Sequence, residues 1–170
     1  MFQQGEWIIY GSTGVCRVEG VGTPEWAPAG EGKLYYRLAP AFDTGVILIP
    51  VDSPVFMRPI LTRSQAQELI DRIPQICAEQ SVRCEARELA EHYRAFFQSH
   101  RCEDLVQLIK TIYQKGQALA RQGKKPGKTD LQFRKRAEQL LHGELAVALG
   151  IPLDQVPAYI QQRLQPGGES

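Results

Sequence analysis

The stretch GEWIIYGSTGVCRVEGV, residues 5–21, decides the reading of the first third of the chain. Two apolar runs, Trp7-Ile8-Ile9-Tyr10 and the segment from Val15 to Val21, flank Gly11-Ser12-Thr13-Gly14. The second run, Val15-Cys16-Arg17-Val18-Glu19-Gly20-Val21, alternates apolar and polar residues, the period-2 pattern of a strand with one buried face. A glycine-bracketed turn between two such runs predicts a β-hairpin.

The same chemistry continues outward from the hairpin. Glycines 5, 11, 14, 20, 22, 30, 32 and 45 break any helical period in the first 60 residues. Thr23 to Gly32, rich in Pro, Gly and Ala and holding Trp26, is expected to be a long loop. Leu34–Leu38 and Val46–Ile49 are expected strands joined by the turn Phe42-Asp43-Thr44-Gly45, and Pro50 and Pro54 end the pattern. Four or five short strands in this space predict a small, curled, SH3-like barrel. From Leu61 the period becomes helical. Thr62 or Ser64 caps a helix through Ile73, where Pro74 stops it. Glu85–Ser99 is a second helix. Leu105, Leu108, Ile109, Ile112 and Tyr113 mark one apolar face of a third. Gly123-Lys-Lys-Pro-Gly127 breaks that helix, a fourth runs from Thr129 to Leu149 and stops at Gly150, and Leu153–Leu164 is a short last one. The fold class is therefore α+β by domains: a β module over residues 1–60, a helical bundle over 61–164, and a frayed tail over 165–170.

Composition narrows the function. The chain has 170 residues, 43% hydrophobic and 23% charged, which is globular composition. No apolar run reaches the roughly 20 residues of a membrane span. The N-terminus lacks the basic and apolar regions of a secretory signal, so the expected location is the cytoplasm, with no membrane partner. Cys16, Cys77, Cys84 and Cys102 form no C-x-x-C pair, and Cys84, His92, His100 and Cys102 read as scattered side chains more than as a metal site. The net charge of +1 hides a concentration. Lys110, Lys115, Arg121, Lys124, Lys125, Lys128, Arg134, Lys135 and Arg136 stand against one acid, Asp130, between residues 110 and 136. Such a segment suits a polyanion; the alternative is a solvated helix pair.

No phosphate-loop, dinucleotide-binding or nucleophile-elbow motif is present, and His142, between Leu141 and Gly143 in a helix, has no evident catalytic partner. Catalysis has no support in the sequence, and a small-molecule substrate is not expected. Binding has more. A small β module exposes strand edges that can pair with a partner's strand. Gly123 and Gly127 allow a sharp turn that gathers the basic residues at one end of the bundle, an arrangement suited to duplex phosphates. Tyr113 and Phe133, the aromatics in that segment, fall on apolar faces.

Several stretches then resemble one family. Phe2, Gly5, Ile8-Ile9-Tyr10, Gly14-Val15, Tyr35-Tyr36-Arg37-Leu38, Ile49-Pro50-Val51 and Arg58-Pro59-Ile60 follow the order and spacing of the CarD family. Ala137-x-x-Leu140-Leu141-x-Gly143-Glu144-Leu145-Ala146 resembles that family's A-x-x-I-L-x-x-E-L-A near its C-terminus. The resemblance implies a bacterial transcription regulator without a cofactor. Its Tudor-like N-terminal domain, a module shared with the transcription-repair coupling factor, docks on the β1 lobe of the RNA polymerase β subunit by strand addition. Its helical domain stabilises the open complex through contacts at the upstream edge of the promoter bubble, largely independent of sequence.

Departures from the family pattern shape the site expectations. Gly11-Ser12-Thr13 replaces the usual Pro-x-His, and Leu48 stands where some members carry a basic residue, so the polymerase contact is expected to be more apolar. The family's minor-groove tryptophan maps to about Ala86, and no tryptophan lies beyond Trp26. Basic residues on that helix are Arg83, Arg87 and Arg94. For the polymerase face the expected residues are Arg17, Arg37, Ile47 and Leu48. For phosphates they are Lys124, Lys125, Lys128, Arg134 and Lys135, followed by Arg87 and Arg94. Two readings stay open: a polymerase-bound factor that contacts DNA, and an interaction module that has lost the DNA contact.

Overall fold

A computed structural model describes residues 1–25, 32–80 and 85–165; Trp26 and most of its loop, Arg83, Cys84 and the last five residues lie outside it. The chain divides into two compact units, Met1–Leu61 and Thr62–Ser170.

The first unit is one antiparallel sheet. Its strands are β1 (Trp7–Tyr10), β2 (Gly14–Gly22), β3 (Tyr35–Pro40), β4 (Ile47–Pro50) and β5 (Met57–Pro59), in the order β4-β3-β2-β1-β5. The opening hairpin forms with Ile8 opposite Cys16 and Tyr10 opposite Gly14. Its turn requires glycine at position 11: φ is +45°, and a Cβ there would stand 2.9 Å from Val55 Cγ1. Alternation puts Ile8, Cys16, Val18, Tyr36, Leu38 and Ile49 on one buried face, with Phe2, Tyr10, Ile47, Val51 and Met57 packed against them. The expected alternation of β2 runs only to Val18. A bulge between Val18 and Gly20 breaks the register, and Val21 is exposed. Strand β5 was not legible in the sequence: three residues that include a proline carry no period, and pairing with β1 defines it.

The second unit is helical: α1 (Arg63–Arg72), α2 (Ala86–Gln98), α3 (Cys102–Arg121), α4 (Lys128–Leu149) and α5 (Val156–Leu164). Of the two candidate caps, Thr62 is the one used. Its hydroxyl accepts from the Gln65 amide at 3.1 Å while Gln65 Oε1 accepts from the Thr62 amide at 2.9 Å, a capping box. Helix α4 is central and packs on α1, α2, α3 and α5. Its Ala137, Leu141, Leu145, Ala146 and Leu149 are buried, as is Glu144, whose carboxylate accepts from the buried Cys102 thiol at 3.2 Å at the start of α3. Among the described residues no helix is long and apolar enough to cross a membrane.

Candidate functional site

In the sheet unit the candidate site is β4, one of the two edge strands. Its pairing with β3 sets Tyr36 opposite Ile49, Arg37 opposite Leu48 and Leu38 opposite Ile47. The Val51 amide donates to the Leu34 carbonyl at 3.0 Å, one step beyond the ladder. Hydrogen-bonded pairs alternate in an antiparallel ladder, so Ile49 and Ile47 bond inward to β3 while Leu48 turns its N–H and C=O to the free edge. Pro50 is the next outward-facing residue, and there its missing donor costs no ladder bond. Proline and the short length blunt the edge, leaving Leu48 as its full donor–acceptor position.

Side chains at this edge divide by face. Leu48 is 45% exposed, and Val46 and Phe42 just before β4 are each about half exposed. Arg37 is exposed opposite Leu48, and Arg17 is exposed with its guanidinium 6.0 Å from the Trp7 ring centroid. Ile47, grouped with these residues from sequence, points the other way and packs on the core. Phe42 and Val46 were missed because turn and strand-end residues carry no burial pattern; their exposure is a tertiary fact.

In the helical unit the basic segment splits into two kinds of residue. Lys110 donates to the carbonyls of Ile73 and Ile76, the latter at 2.8 Å, and so closes the C-terminal end of α1. Lys115 lies 3.0 Å from the carboxylate of Asp130, which also accepts from the Tyr93 hydroxyl at 2.6 Å. Arg134 pairs with Glu138 at 3.0 Å. Lys110 and Lys115 thus tie α3 to the end of α1 and to α4, whereas the Arg134 pair lies within α4. Arg121, Lys124, Lys125, Lys128 and Lys135 are exposed and have no ion-pair partner among the described residues.

The turn between α3 and α4 displays those exposed cations. Gly123 is left-handed at φ +71°, its amide donates to the Ala120 carbonyl, and the Lys124 amide reaches back to Leu119 at 2.8 Å, a Schellman motif. Gly127 does not serve as the second sharp bend expected of it. It is the N-cap of α4 in an extended conformation, φ −71°. Arg87 and Arg94 are exposed one above the other on α2, with Glu91 between them and 4.0 Å from Arg87. Ala86, where the family pattern has tryptophan, is the exposed first residue of α2.

Tyr113 corrects the sequence reading. It closes the apolar stripe of α3 by spacing, yet it is 51% exposed, with the Arg134 guanidinium 5.7 Å from its ring centroid. Phe133 does lie inward, against Tyr93 and Phe97 of α2. His92 is bonded to Glu79 at 2.7 Å, and among the described residues no group of three or more His, Cys, Asp and Glu could hold a metal ion. Burial pushes the half-buried His142 below the usual imidazole pKa, with Glu138 opposing the shift.

Residues 2–61 match the family model of the CarD-like/TRCF RID domain. The match spans the sheet unit and ends at its boundary with the helices. No curated protein matches the chain.

Proposed function

We propose, from a chain whose first unit is a CarD-like/TRCF RID domain, that this protein is a transcription regulator which binds RNA polymerase through that unit and steadies promoter DNA through the helical one. The observation that carries the reading is the β4 edge within the matched domain: an outward Leu48 backbone pair, an apolar rim of Leu48, Val46 and Phe42, and Arg37 beside it. Such an edge accepts an extended strand from a partner, with backbone bonds supplying affinity and the rim supplying selectivity. The partner we assign is the β1 lobe of the polymerase β subunit. The strand order, in which the last strand returns to the first, supports a Tudor-like reading of the domain. The DNA contribution rests on the five exposed cations around the α3–α4 turn, whose contacts to phosphates are independent of base sequence. No reaction and no cofactor form part of this function.

The test has two arms. The full chain should bind the isolated β1 lobe at micromolar concentration, and absence of that binding refutes the polymerase reading. It should also lengthen the lifetime of the polymerase–promoter open complex, and Lys124→Glu with Lys125→Glu should abolish the effect while lobe binding persists. An unchanged lifetime in that double variant removes the DNA contact. It would favour the second reading, an interaction module without DNA, for which the alanine at position 86 speaks.

A further inference from the structure

The α3–α4 hairpin has two sides. On one, Phe133 meets Tyr93 and Phe97 of α2, and Lys115 meets Asp130. Arg134, one residue and about 100° further round α4, meets Tyr113 of α3 instead. On α3, Tyr113, Gln117 and Arg121 follow at i, i+4 and i+8, a stripe that runs to the basic turn. On α4, Lys128, Leu131 and Lys135 follow at i, i+3 and i+7, a stripe flanking Arg134. Gln117 donates to the Tyr113 hydroxyl at 3.0 Å, which steadies the ring without covering it. Leu131 is 50% exposed. The acid on this side is Glu138, bonded to Arg134.

We infer that this face of the hairpin binds a nucleic-acid strand by stacking an unpaired base on Tyr113 while exposed cations of the hairpin hold its phosphates. The inference deepens the DNA contact proposed above and rests on it. An acidic peptide would satisfy the lysines and arginines but would offer no flat π surface to an exposed tyrosine flanked by a guanidinium and a leucine. A closed duplex would offer phosphates but keep its base faces stacked inside. A strand with an unpaired base offers both charge and a face. Tyr113 thereby supplies an aromatic contact in a helical unit without tryptophan.

Fluorescence anisotropy with the full chain and no polymerase tests this. The probes are a short oligothymidylate, a blunt duplex of mixed sequence, and that duplex with a frayed end. Tyr113→Ala should weaken oligothymidylate and frayed-end binding about tenfold, the scale of one stacked base, and leave the blunt duplex within about twofold. Tyr113→Phe keeps the ring and should bind as the wild type does. Lys124→Glu with Lys125→Glu should weaken all three probes and flatten their salt dependence. If Tyr113→Ala binds oligothymidylate like the wild type, or loses all three probes equally, the stacking site is refuted and the phosphate contact stands. If the wild type binds none of the probes, the stacking site falls with the DNA contact, and binding to the β1 lobe is unaffected.

Discussion

Asp130→Ala should destabilise the helical unit by about 3 kcal/mol. The carboxylate is 3% exposed and bonds the hydroxyl of Tyr93, itself 2% exposed, at 2.6 Å and the Lys115 ammonium at 3.0 Å. A hydrogen bond to a charged group contributes roughly 1.5–3 kcal/mol. Lys115 keeps 22% of its side chain in solvent, so its lost partner costs less, on the order of 1 kcal/mol. The total falls at the low end of the roughly 3–5 kcal/mol for breaking a buried pair. For a unit of this size that lowers Tm by about 12 °C. Tyr93→Phe removes the hydroxyl alone and should cost about 1 kcal/mol. The double variant should fall short of additivity by about 1 kcal/mol, because both changes remove one bond. Urea unfolding followed by helical ellipticity measures the effect. Tryptophan fluorescence is the control, since Trp7 and Trp26 both belong to the first unit. A loss below 1 kcal/mol for Asp130→Ala, or strict additivity in the double variant, refutes the assignment of the Asp130 carboxylate as a buried link between α4, α2 and α3.

Three further outcomes are expected. Leu48→Glu should leave Tm within about 2 °C, because the side chain is already exposed, yet weaken β1-lobe binding at least about tenfold; titration calorimetry of the lobe decides it. Gly123→Ala should cost about 1 kcal/mol for its left-handed backbone, whereas Gly127→Ser should gain a few tenths by adding the side-chain cap that α4 lacks; thermal unfolding separates the two. Burial pushes the Cys16 thiol up to about 11, above its ordinary 9.0. Between those values the unfolded chain has released a proton that the folded one retains. Stability of the sheet unit is thus complete below pH 9 and declines toward pH 11, by roughly 1–3 kcal/mol. Cys16→Val should flatten that decline in fluorescence-detected unfolding, leaving the smaller dependence of Tyr10, whose hydroxyl is also raised by burial.

Local chemistry made the elements readable. The helix ends given from sequence lie within about three residues of those observed, because caps, prolines and glycines act over three or four positions; the start of α3 had no such signal. The opening hairpin was readable because its period is set by alternation and its turn by glycine. What escaped were features defined by a distant neighbour: β5, which exists through its pairing with β1, and the bulge in β2, which ends the alternation before Val21. In the candidate sites, Arg37, Ile47 and Leu48 were expected on one face; Arg37 and Leu48 are exposed, but Ile47 packs on the core, because adjacent strand residues face opposite ways.

The amino-acid sequence by itself determined the two-part organisation, the family resemblance of the first unit and the position of the basic segment. Only the tertiary structure decided which of those charges have a partner within the fold. Lys110, Lys115 and Arg134 look no different in sequence from Lys124, Lys125 and Lys128. Yet the fold brings carbonyls from the end of α1, the carboxylate of Asp130 and that of Glu138 to the first three, and brings no described partner to the others. Tyr113 became exposed for a similar reason: a side chain at the margin of an apolar stripe is buried only if another helix covers that margin, and α2 covers the opposite side. A side chain's period says where it points along its own element; the groups within hydrogen-bonding distance, which set its solvation, come from the rest of the chain.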